Sequence, residues 1–246
     1  MMRGAMIAVG GLIFLAVLIA RLPLSLIVDN APMPVEYQSA SGTIWNGKIS
    51  GIEVDGQEVG DAEIGLRFLP LLTARASAAL ALRGRFIDGL GDVGFDGTTL
   101  SVRDATGTAD LSRFGLVDVF GQPVRGTLRG SIDQLEFSRK DGCLAADLDV
   151  STDALTQSLG VYAGDGLELV GSGRCEDGDL VIPMVAENDD AILEVELRLM
   201  PNGRYHSILL VTPLEPQLGE FLRQVGFRQE GGTFVAERGG SVEAAL

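Results

Sequence analysis

The residues of this sequence that could carry out acid–base or nucleophilic chemistry are few. His206 is the single histidine, and Ser207 follows it directly in the segment NGRYHSILLV. The segment begins with an Asn-Gly turn signal, and the residues after this signal are predicted to form a strand, in which adjacent side chains point to opposite faces of a sheet. Ser207 and His206 therefore cannot act as a nucleophile and its general base. We interpret His206 as a structural or surface residue.

Acidic side chains cluster where oxygen ligands could hold Ca²⁺. The segment AENDDA contains Glu187, Asn188, Asp189 and Asp190. It lacks the alternate-position spacing and the glycine of an EF-hand loop, so we interpret it as a solvated turn. In ADLDV, Asp147 and Asp149 share one strand face opposite Leu148, as expected of an exposed face. No phosphate-binding loop, nucleophile elbow or cysteine-pair metal motif is present. We predict no catalytic, cofactor-binding or metal-binding residues.

The charge of the chain argues against nucleic acid as a partner. The sequence contains 34 acidic and 19 basic residues and has a formal net charge of -15. Binding of nucleic acid draws most of its affinity from basic side chains that neutralise phosphates. With 46% hydrophobic residues in 246 positions, the chain is long and apolar enough to bury a core.

An apolar N-terminal segment predicts a membrane anchor. Residues 4–20 are nearly all apolar, and residues 22–28 continue the pattern after Arg21. At about 1.5 Å per residue, a helix over this length crosses a hydrocarbon core of roughly 30 Å. The positive charges of the N-terminal amine and Arg3 favour a cytoplasmic N-terminus, which would place the rest of the chain across the membrane. The alternative is a cleaved signal peptide, although no cleavage site with small residues at the required spacing is evident.

The predicted organisation has four parts. Residues 1–28 form an uncleaved transmembrane signal anchor, and residues 29–38, with two prolines and little periodicity, form an extended linker. Residues 39–239 form one exported β-rich domain, and residues 240–246 form a loose tail.

The two cysteines fit an exported domain. Cys143 and Cys175 make an even count, and disulfides persist in oxidising compartments. A disulfide is the favoured interpretation, and two buried free cysteines are the alternative. Two cysteines this far apart, with one distant histidine, do not make a metal site.

Turn signals and alternating apolar residues predict a mainly β fold. Asp-Gly and Asn-Gly pairs recur at positions 46–47, 55–56, 88–89, 96–97, 141–142, 165–166, 177–178 and 202–203. Such pairs suit two-residue hairpin turns. Between them, residues such as Leu193, Val195, Leu197 and Leu199, or Ile64, Leu66 and Phe68, alternate as in strands. The prediction is a curved antiparallel sheet of hairpins and meanders after the N-terminal transmembrane helix.

Helical signals are few. Leu218, Phe221, Leu222 and Val225 recur with helical spacing, which predicts one amphipathic helix that begins after Pro216, ends before Gly226 and lies against the sheet. Shorter helical turns are predicted within residues 111–120 and 152–159.

The segment SASGTIWNGK holds the single tryptophan, Trp45, among glycines. One interpretation is structural: Trp45 packs over the first hairpin and covers the backbone that Gly42 and Gly47 leave bare. The other is an exposed aromatic anchor for a partner or for the membrane interface, where tryptophan is enriched.

This segment, together with others, resembles protein N of the bacterial type II secretion system. The family carries a Ser-Gly-Thr-apolar-Trp-Ser/Asn-Gly pattern after its anchor, and this chain carries Ser41, Gly42, Thr43, Trp45 and Gly47 at the corresponding places, with Asn46 for the commoner serine. LPLSLIV, LRFLPLLTARASAAL, GSGRCEDGDLVI and LRQVGFRQEGGTF extend the similarity over roughly residues 22–234.

The resemblance implies a non-enzymatic, single-pass inner-membrane accessory component of Gram-negative bacteria, with residues 39–239 as a periplasmic β-rich domain. Such a component aids the export of folded proteins across the outer membrane. Its expected partners are other type II secretion components, either the inner-membrane platform or the outer-membrane secretin, and it needs no cofactor. The family also suggests a likeness to AsmA-type proteins, whose sheets hold lipid in an apolar groove, so a lipid-binding or lipid-transfer protein is the alternative. A periplasmic hydrolase is a further rival, which the missing catalytic groups disfavour.

Overall fold

The computed structural model of the chain describes residues 17–29, 36–54, 57–73, 75–113, 123–156 and 166–241. Within them the backbone forms an open, 14-stranded antiparallel sheet. The strands follow one another in chain order from β1 to β12, and β14 lies between β12 and the edge strand β13. The predicted mainly β class, with hairpins and meanders, is confirmed for this part of the chain. Of the predicted anchor, linker and tail, residues 1–16, 30–35 and 242–246 lie outside the described residues.

The strands have the following bounds: β1 Ser39–Thr43, β2 Asn46–Val54, β3 Gln57–Leu66, β4 Ala76–Arg83, β5 Ile87–Phe95, β6 Thr99–Asp110, β7 Thr127–Ser138, β8 Gly142–Thr152, β9 Leu169–Glu176, β10 Asp179–Glu187, β11 Ala191–Leu199, β12 Arg204–Pro213, β13 Arg228–Glu230 and β14 Thr233–Ser241. The helices are α1 Leu24–Val28, α2 Phe68–Leu71 and α3 Pro216–Gln224, with a 3₁₀ turn at Leu111–Arg113. Residues 17–20 and 154–156 are also helical.

Some predicted turns occur where their sequences indicate. Asp177 and Gly178 have φ angles of 53° and 86°, as a two-residue type I′ turn requires. Two other predictions are wrong. Asp88–Gly89 lies inside β5, because the preceding hairpin is closed earlier, where Gly84 N donates to Ile87 O over 2.8 Å. Asn46 and Gly47 begin β2, and the hairpin turn is formed by residues 44–45. The pair at 55–56 and Asp165 of the pair at 165–166 lie outside the described residues.

Three further boundaries differ from the sequence predictions. β3 ends at Leu66, and Phe68 begins α2 instead of continuing the strand. Pro70 explains this, since proline has no N–H to donate to a β-ladder. At the other two places the sheet extends further than predicted. Glu36, in the predicted linker, bridges Glu53, and β14 continues through Gly240 to Ser241, into the predicted tail.

The predicted amphipathic helix is present as α3. It begins at Pro216 itself, in keeping with the preference for proline at the first helical position, and Gly226 follows it with a φ of 91°. Leu218 and Leu222 are fully buried and belong to the main core, together with Phe234 of β14. α3 therefore packs against the C-terminal half of the sheet, and the predicted contact between this helix and the sheet is confirmed. Of the shorter predicted helical turns, residues 114–120 and 157–159 lie outside the described residues.

A second, smaller core lies at the N-terminal edge of the sheet. Leu24 and Val28 of α1 pack there against Ile49 of β2. In the same hairpins the Asp61 carboxylate lies 2.7 Å from the Lys48 ammonium and accepts a hydrogen bond from Gly51 N. These interactions, the one with Lys48 first, lower the pKa of Asp61.

This lowered pKa predicts a pH-dependent contribution to stability. A carboxyl whose pKa is lower in the folded state stabilises the fold above its unfolded pKa of about 3.9, and this contribution is lost as the pH falls through the lowered folded-state value. We expect Asp61→Asn to reduce the melting temperature slightly at neutral pH, and the difference to vanish in strong acid. Thermal unfolding of both proteins from neutral to acidic pH tests this. A difference that stays constant over that range contradicts it.

Candidate functional site: an apolar groove and the tryptophan turn

The apolar side chains of successive strands line one face of the sheet. Residues directly opposite each other on neighbouring strands point to the same side. Ile132 of β7 lies opposite Leu148 of β8, which in turn lies opposite Gly173 of β9. Near α3 this face is buried in the main core. Towards the middle strands this face becomes accessible to solvent, and its residues Phe95 and Leu100 are 41% and 47% exposed.

Two irregularities keep the apolar residues on this face. Asp104 has a φ of 48° and lies where the β5–β6 register shifts, between Leu90 and Asp92 of β5. The β7–β8 register shifts between Ile132 and Gln134. One extra residue reverses the alternation of side chains along a strand. After each bulge, the apolar residues of the strand therefore point to the same face of the sheet as the apolar residues before it. Without the first bulge, Thr106 would replace Ala105 on this face.

A groove of about 440 Å³ lies on the uncovered part of the face, across β5 to β8 and β10. Leu128, Ile132, Leu148, Val150 and Ile182 contribute large apolar side chains to its walls. Gly89 and Gly107 pair across β5 and β6, and Gly130 lies opposite Gly107 on β7. These glycines add no side chains that would fill the space. The volume lies within the range of small-molecule sites, and the lining suits an apolar ligand.

The charged residues at the groove do not point into it. Asp88 and Asp149 alternate with the groove residues Gly89 and Leu148 along their strands, so their carboxylates lie on the opposite face of the sheet. There the Asp149 carboxylate accepts a hydrogen bond from Ser172 Oγ over 2.6 Å. The walls of the groove are therefore apolar.

A second depression, of about 610 Å³, is lined by charged residues between β4 and β8. Two of its three arginines are paired with carboxylates: Arg67 Nη2 lies 2.5 Å from Asp92 Oδ2, and Arg103 Nη2 lies 2.7 Å from Glu136 Oε1. Asp96 at its edge accepts hydrogen bonds from Thr99 N and Thr98 N, which lower its pKa. These pairs satisfy one another, so we assign no ligand chemistry to this depression.

The tryptophan turn, residues 44–45, connects three parts of the chain. Trp45 Nε1 donates to Ile19 O over 3.0 Å, and the Trp45 ring lies 5.9 Å, centroid to centroid, from the Phe68 ring. Ile44 N donates to Leu22 O, and Ile44 O accepts from Leu66 N. The turn thus links the end of the apolar N-terminal segment to the start of α2.

The residues around Trp45 have identifiable structural roles. Gly42 has a φ of 83°, and a Cβ on Gly47 would lie 2.5 Å from the Leu24 side chain. α1, and not Trp45, therefore covers the backbone at Gly47, which corrects the first interpretation of the tryptophan in this detail. Thr43 Oγ1 accepts a hydrogen bond from Asn46 N, and Ser41 pairs with Lys48. Trp45 is partly buried, and a contact with a partner through this motif stays a prediction.

The cysteines lie on neighbouring strands. Cys143 of β8 and Cys175 of β9 are joined as a disulfide, with their Cα atoms 5.4 Å apart. Cys143 is only 5% exposed and belongs to the main core. The bridge therefore ties two neighbouring strands together within the main core.

The remaining candidates from the sequence have structural surroundings. Asn188 Oδ1 accepts hydrogen bonds from Asp190 N and Ala191 N, which closes the acidic turn at the start of β11. His206 Nε2 lies 3.9 Å from Glu237 Oε2 at the surface. Asp147 and Asp149 are exposed. In the part of the chain that the structure describes, no three side chains of the metal-binding types are grouped.

The sequence indicates a lipid groove as the alternative function without specifying its lining residues, and the exposed apolar residues 68–72 at α2 were not predicted as a site. The signal for the groove is the row of glycines across β5, β6 and β7, which becomes visible only when the strand registers are known. The signal for the turn is the run FLPLL between two arginines.

Comparison with known proteins identifies the family. A family model described as type II secretion system (T2SS), protein N matches residues 33–236. No curated protein and no solved structure gives a significant match. None of the helices within residues 17–29, 36–54, 57–73, 75–113, 123–156 and 166–241 combines the length and hydrophobicity that a membrane span requires. The match covers most of the sheet, and the chain therefore belongs to the protein N family of the type II secretion system.

Proposed function

We propose that this protein is a non-enzymatic accessory component of the type II secretion apparatus, which aids the export of folded proteins through protein contacts of its β-rich domain. The observation that carries the proposal is the family match over residues 33–236. Its partners would be the inner-membrane platform or the outer-membrane secretin.

In this proposal the chain is a single-pass inner-membrane protein with a cytoplasmic N-terminus and a periplasmic domain. The apolar residues 4–20, preceded by Arg3, support the anchor. The Cys143–Cys175 disulfide supports an oxidising compartment for the domain. The proposed division remains 1–28 as anchor, 29–38 as linker, 39–239 as domain and 240–246 as tail.

The contacts would use an apolar surface more than the edges of the sheet. β13, at one edge, has only three residues, all exposed, and two of them are the charged Arg228 and Glu230. At the other edge, Pro23 already bridges Thr43 of β1. Short, charged or covered edges resist pairing with a further strand. Exposed apolar residues on the face of the sheet therefore favour patch contacts.

Deletion of the gene in its native host tests the secretion role. We expect exported enzymes to accumulate in the periplasm and to fall several-fold in the culture medium, with restoration by the full-length gene. Quantitative proteomics of both fractions measures this, and leakage of a resident periplasmic protein controls for envelope damage. Normal secretion in the deletion strain contradicts the proposal.

The second candidate function is lipid binding or lipid transfer. The groove of about 440 Å³, with its almost wholly apolar walls, favours it, since an acyl chain matches such a lining. Native mass spectrometry of the full-length protein, extracted in mild detergent, would detect a retained lipid. A protein that is free of lipid after extraction from its native membrane argues against this candidate.

A further inference from the structure

A short apolar turn projects from the sheet beside the end of the N-terminal segment. Between β3 and β4 the chain reads Phe68-Leu69-Pro70-Leu71-Leu72, and we call these five residues the apolar turn. Phe68, Leu69, Leu71 and Leu72 are 57%, 75%, 39% and 70% exposed. Such a concentration of large apolar side chains on one exposed turn indicates an interaction surface.

The apolar turn lies next to the end of the predicted anchor. Trp45 donates its indole N–H to Ile19 O over 3.0 Å and packs its ring 5.9 Å from that of Phe68. Two backbone hydrogen bonds add to this link: Ile44 N donates to Leu22 O, and Leu66 N donates to Ile44 O. Direct contacts therefore hold the end of the apolar N-terminal segment beside the residues that precede the apolar turn.

Further exposed apolar residues lie at the end of the N-terminal segment and in α1. Val17, Leu18 and Ile19, in the last residues of the apolar segment, are 55%, 48% and 42% exposed. In α1, Leu24 and Val28 face β2, while Leu26 and Ile27 are 55% and 43% exposed.

The backbone of the apolar turn suits a medium of low polarity. Leu72 N donates to Leu69 O, Thr73 N donates to Pro70 O, and Thr73 Oγ1 also donates to Pro70 O over 2.9 Å. Pro70 has no N–H group to satisfy. Polar backbone groups are costly in a bilayer unless they are bonded within the protein, and these bonds meet that requirement at the centre of the turn.

Residues next to the apolar turn are of types found at membrane interfaces. Arg75 follows the apolar turn, and Arg21 follows the apolar N-terminal segment; Arg67, which precedes the turn, is paired with Asp92. Tryptophan and arginine are among the residues that lie at headgroup level, with apolar side chains deeper in the membrane.

We propose that the apolar turn inserts into the outer leaflet of the inner membrane and forms a second attachment of the sheet beside the anchor. The occupant of this surface is the lipid bilayer. The inference rests on the inner-membrane placement proposed above, because residues 4–20 would hold the turn at the interface. Two attachments would fix the orientation of the sheet relative to the membrane, which a single anchor followed by a linker would leave free.

Site-specific fluorescence in vesicles tests this proposal. Because both native cysteines are joined in a disulfide, Leu69→Cys in the full-length chain can be labelled selectively with the environment-sensitive dye NBD. The protein is reconstituted into vesicles of phosphatidylethanolamine and phosphatidylglycerol, with brominated lipid as a quencher in the hydrocarbon region. Gly232→Cys, in the turn between β13 and β14 at the opposite end of the strands, is the matched control, since no atom of the described residues lies within 4 Å of a Cβ placed there.

We expect the probe at position 69 to show blue-shifted emission and strong quenching by brominated lipid, and the probe at position 232 to show neither. Adding Leu72→Asp to the Leu69→Cys protein should remove most of the quenching. Thermal unfolding should be unchanged in that variant, because both side chains are exposed.

Each result bears on a different claim. A probe at position 69 that remains in water while the protein floats with the vesicles overturns the insertion of the turn and leaves the anchor intact. A probe shielded only in native membranes that contain other secretion components, and not in pure lipid, overturns it in favour of a protein partner. Quenching in a protein whose deletion leaves secretion normal supports the insertion while contradicting the secretion role.

Discussion

Replacing both cysteines, as Cys143→Ala with Cys175→Ala, is expected to lower the free energy of unfolding by about 3 to 4 kcal/mol. The bridge closes a loop with a sequence separation of 32 residues, and removing it increases the conformational freedom of the unfolded chain. For a domain of this size the loss corresponds to a fall in melting temperature of roughly 10 °C. Alanine avoids placing a new hydroxyl at Cys143, which is only 5% exposed.

The measurement is thermal unfolding of the variant and of the wild-type protein, each with and without a reducing agent. Reduction should lower the melting temperature of the wild-type protein towards that of the variant and leave the variant unchanged. Equal melting temperatures for the oxidised wild-type protein and the variant would contradict the prediction. In the cell, a destabilised domain is degraded faster, so we also expect less of the variant protein and weaker complementation of a deletion strain.

Local chemistry in the sequence was sufficient for much of the fold. Asp177 and Gly178 predict a type I′ turn because few other residues accept positive φ at both positions, and the structure contains it. The spacing of Leu218 and Leu222 predicts a buried helical face, and both residues are fully buried. In these cases the determining interactions lie within a few residues of one another in the chain.

The failures have a common physical cause, which is contact between distant parts of the chain. Asn46–Gly47 suits a hairpin turn, yet the turn lies at residues 44–45, where Ile44 bonds to Leu22 and Leu66. Tertiary contacts thus overrode the local turn preference. Phe68 continues the alternation of β3 in sequence, but Pro70 cannot take part in a β-ladder, and the chain turns instead.

The groove could not be predicted from the sequence, because it depends on strand register. In β6, an uninterrupted alternation from Leu100 would place Asp104, Thr106 and Thr108 on the apolar face. The bulge at Asp104 instead aligns Gly107 with Gly89 and Gly130. A shift by one residue exchanges the two faces of a strand. The glycine row that opens the groove is therefore a property of the paired strands and not of any one segment.

Filling this groove is expected to separate the two candidate functions. Gly130 is the suitable position, since a Cβ there would lie 3.6 Å from Asp149 O and 3.8 Å from Val150 Cγ1, at ordinary contact distances. Gly89 and Gly107 are less suitable, because a Cβ on either would come within 3.1 and 3.0 Å of a backbone oxygen. We expect Gly130→Trp to place its indole in the groove and to reduce co-purified lipid at least tenfold if lipid is the ligand. Gly232→Trp, in open space, should leave lipid unchanged.

Both variants should be compared in the deletion strain by native mass spectrometry and by secretion proteomics, with thermal unfolding to confirm that each is folded. If lipid binding is the function, Gly130→Trp should lose both the bound lipid and the ability to complement the deletion strain. Gly232→Trp should keep both. A secretion role through protein contacts elsewhere on the domain requires that Gly130→Trp still complement. Wild-type protein that carries no lipid would exclude the groove as a lipid site under these conditions. The tryptophan leaves the charged depression between β4 and β8, the disulfide and the apolar turn unaltered. A loss of complementation by this one variant therefore points to the groove and to no other surface.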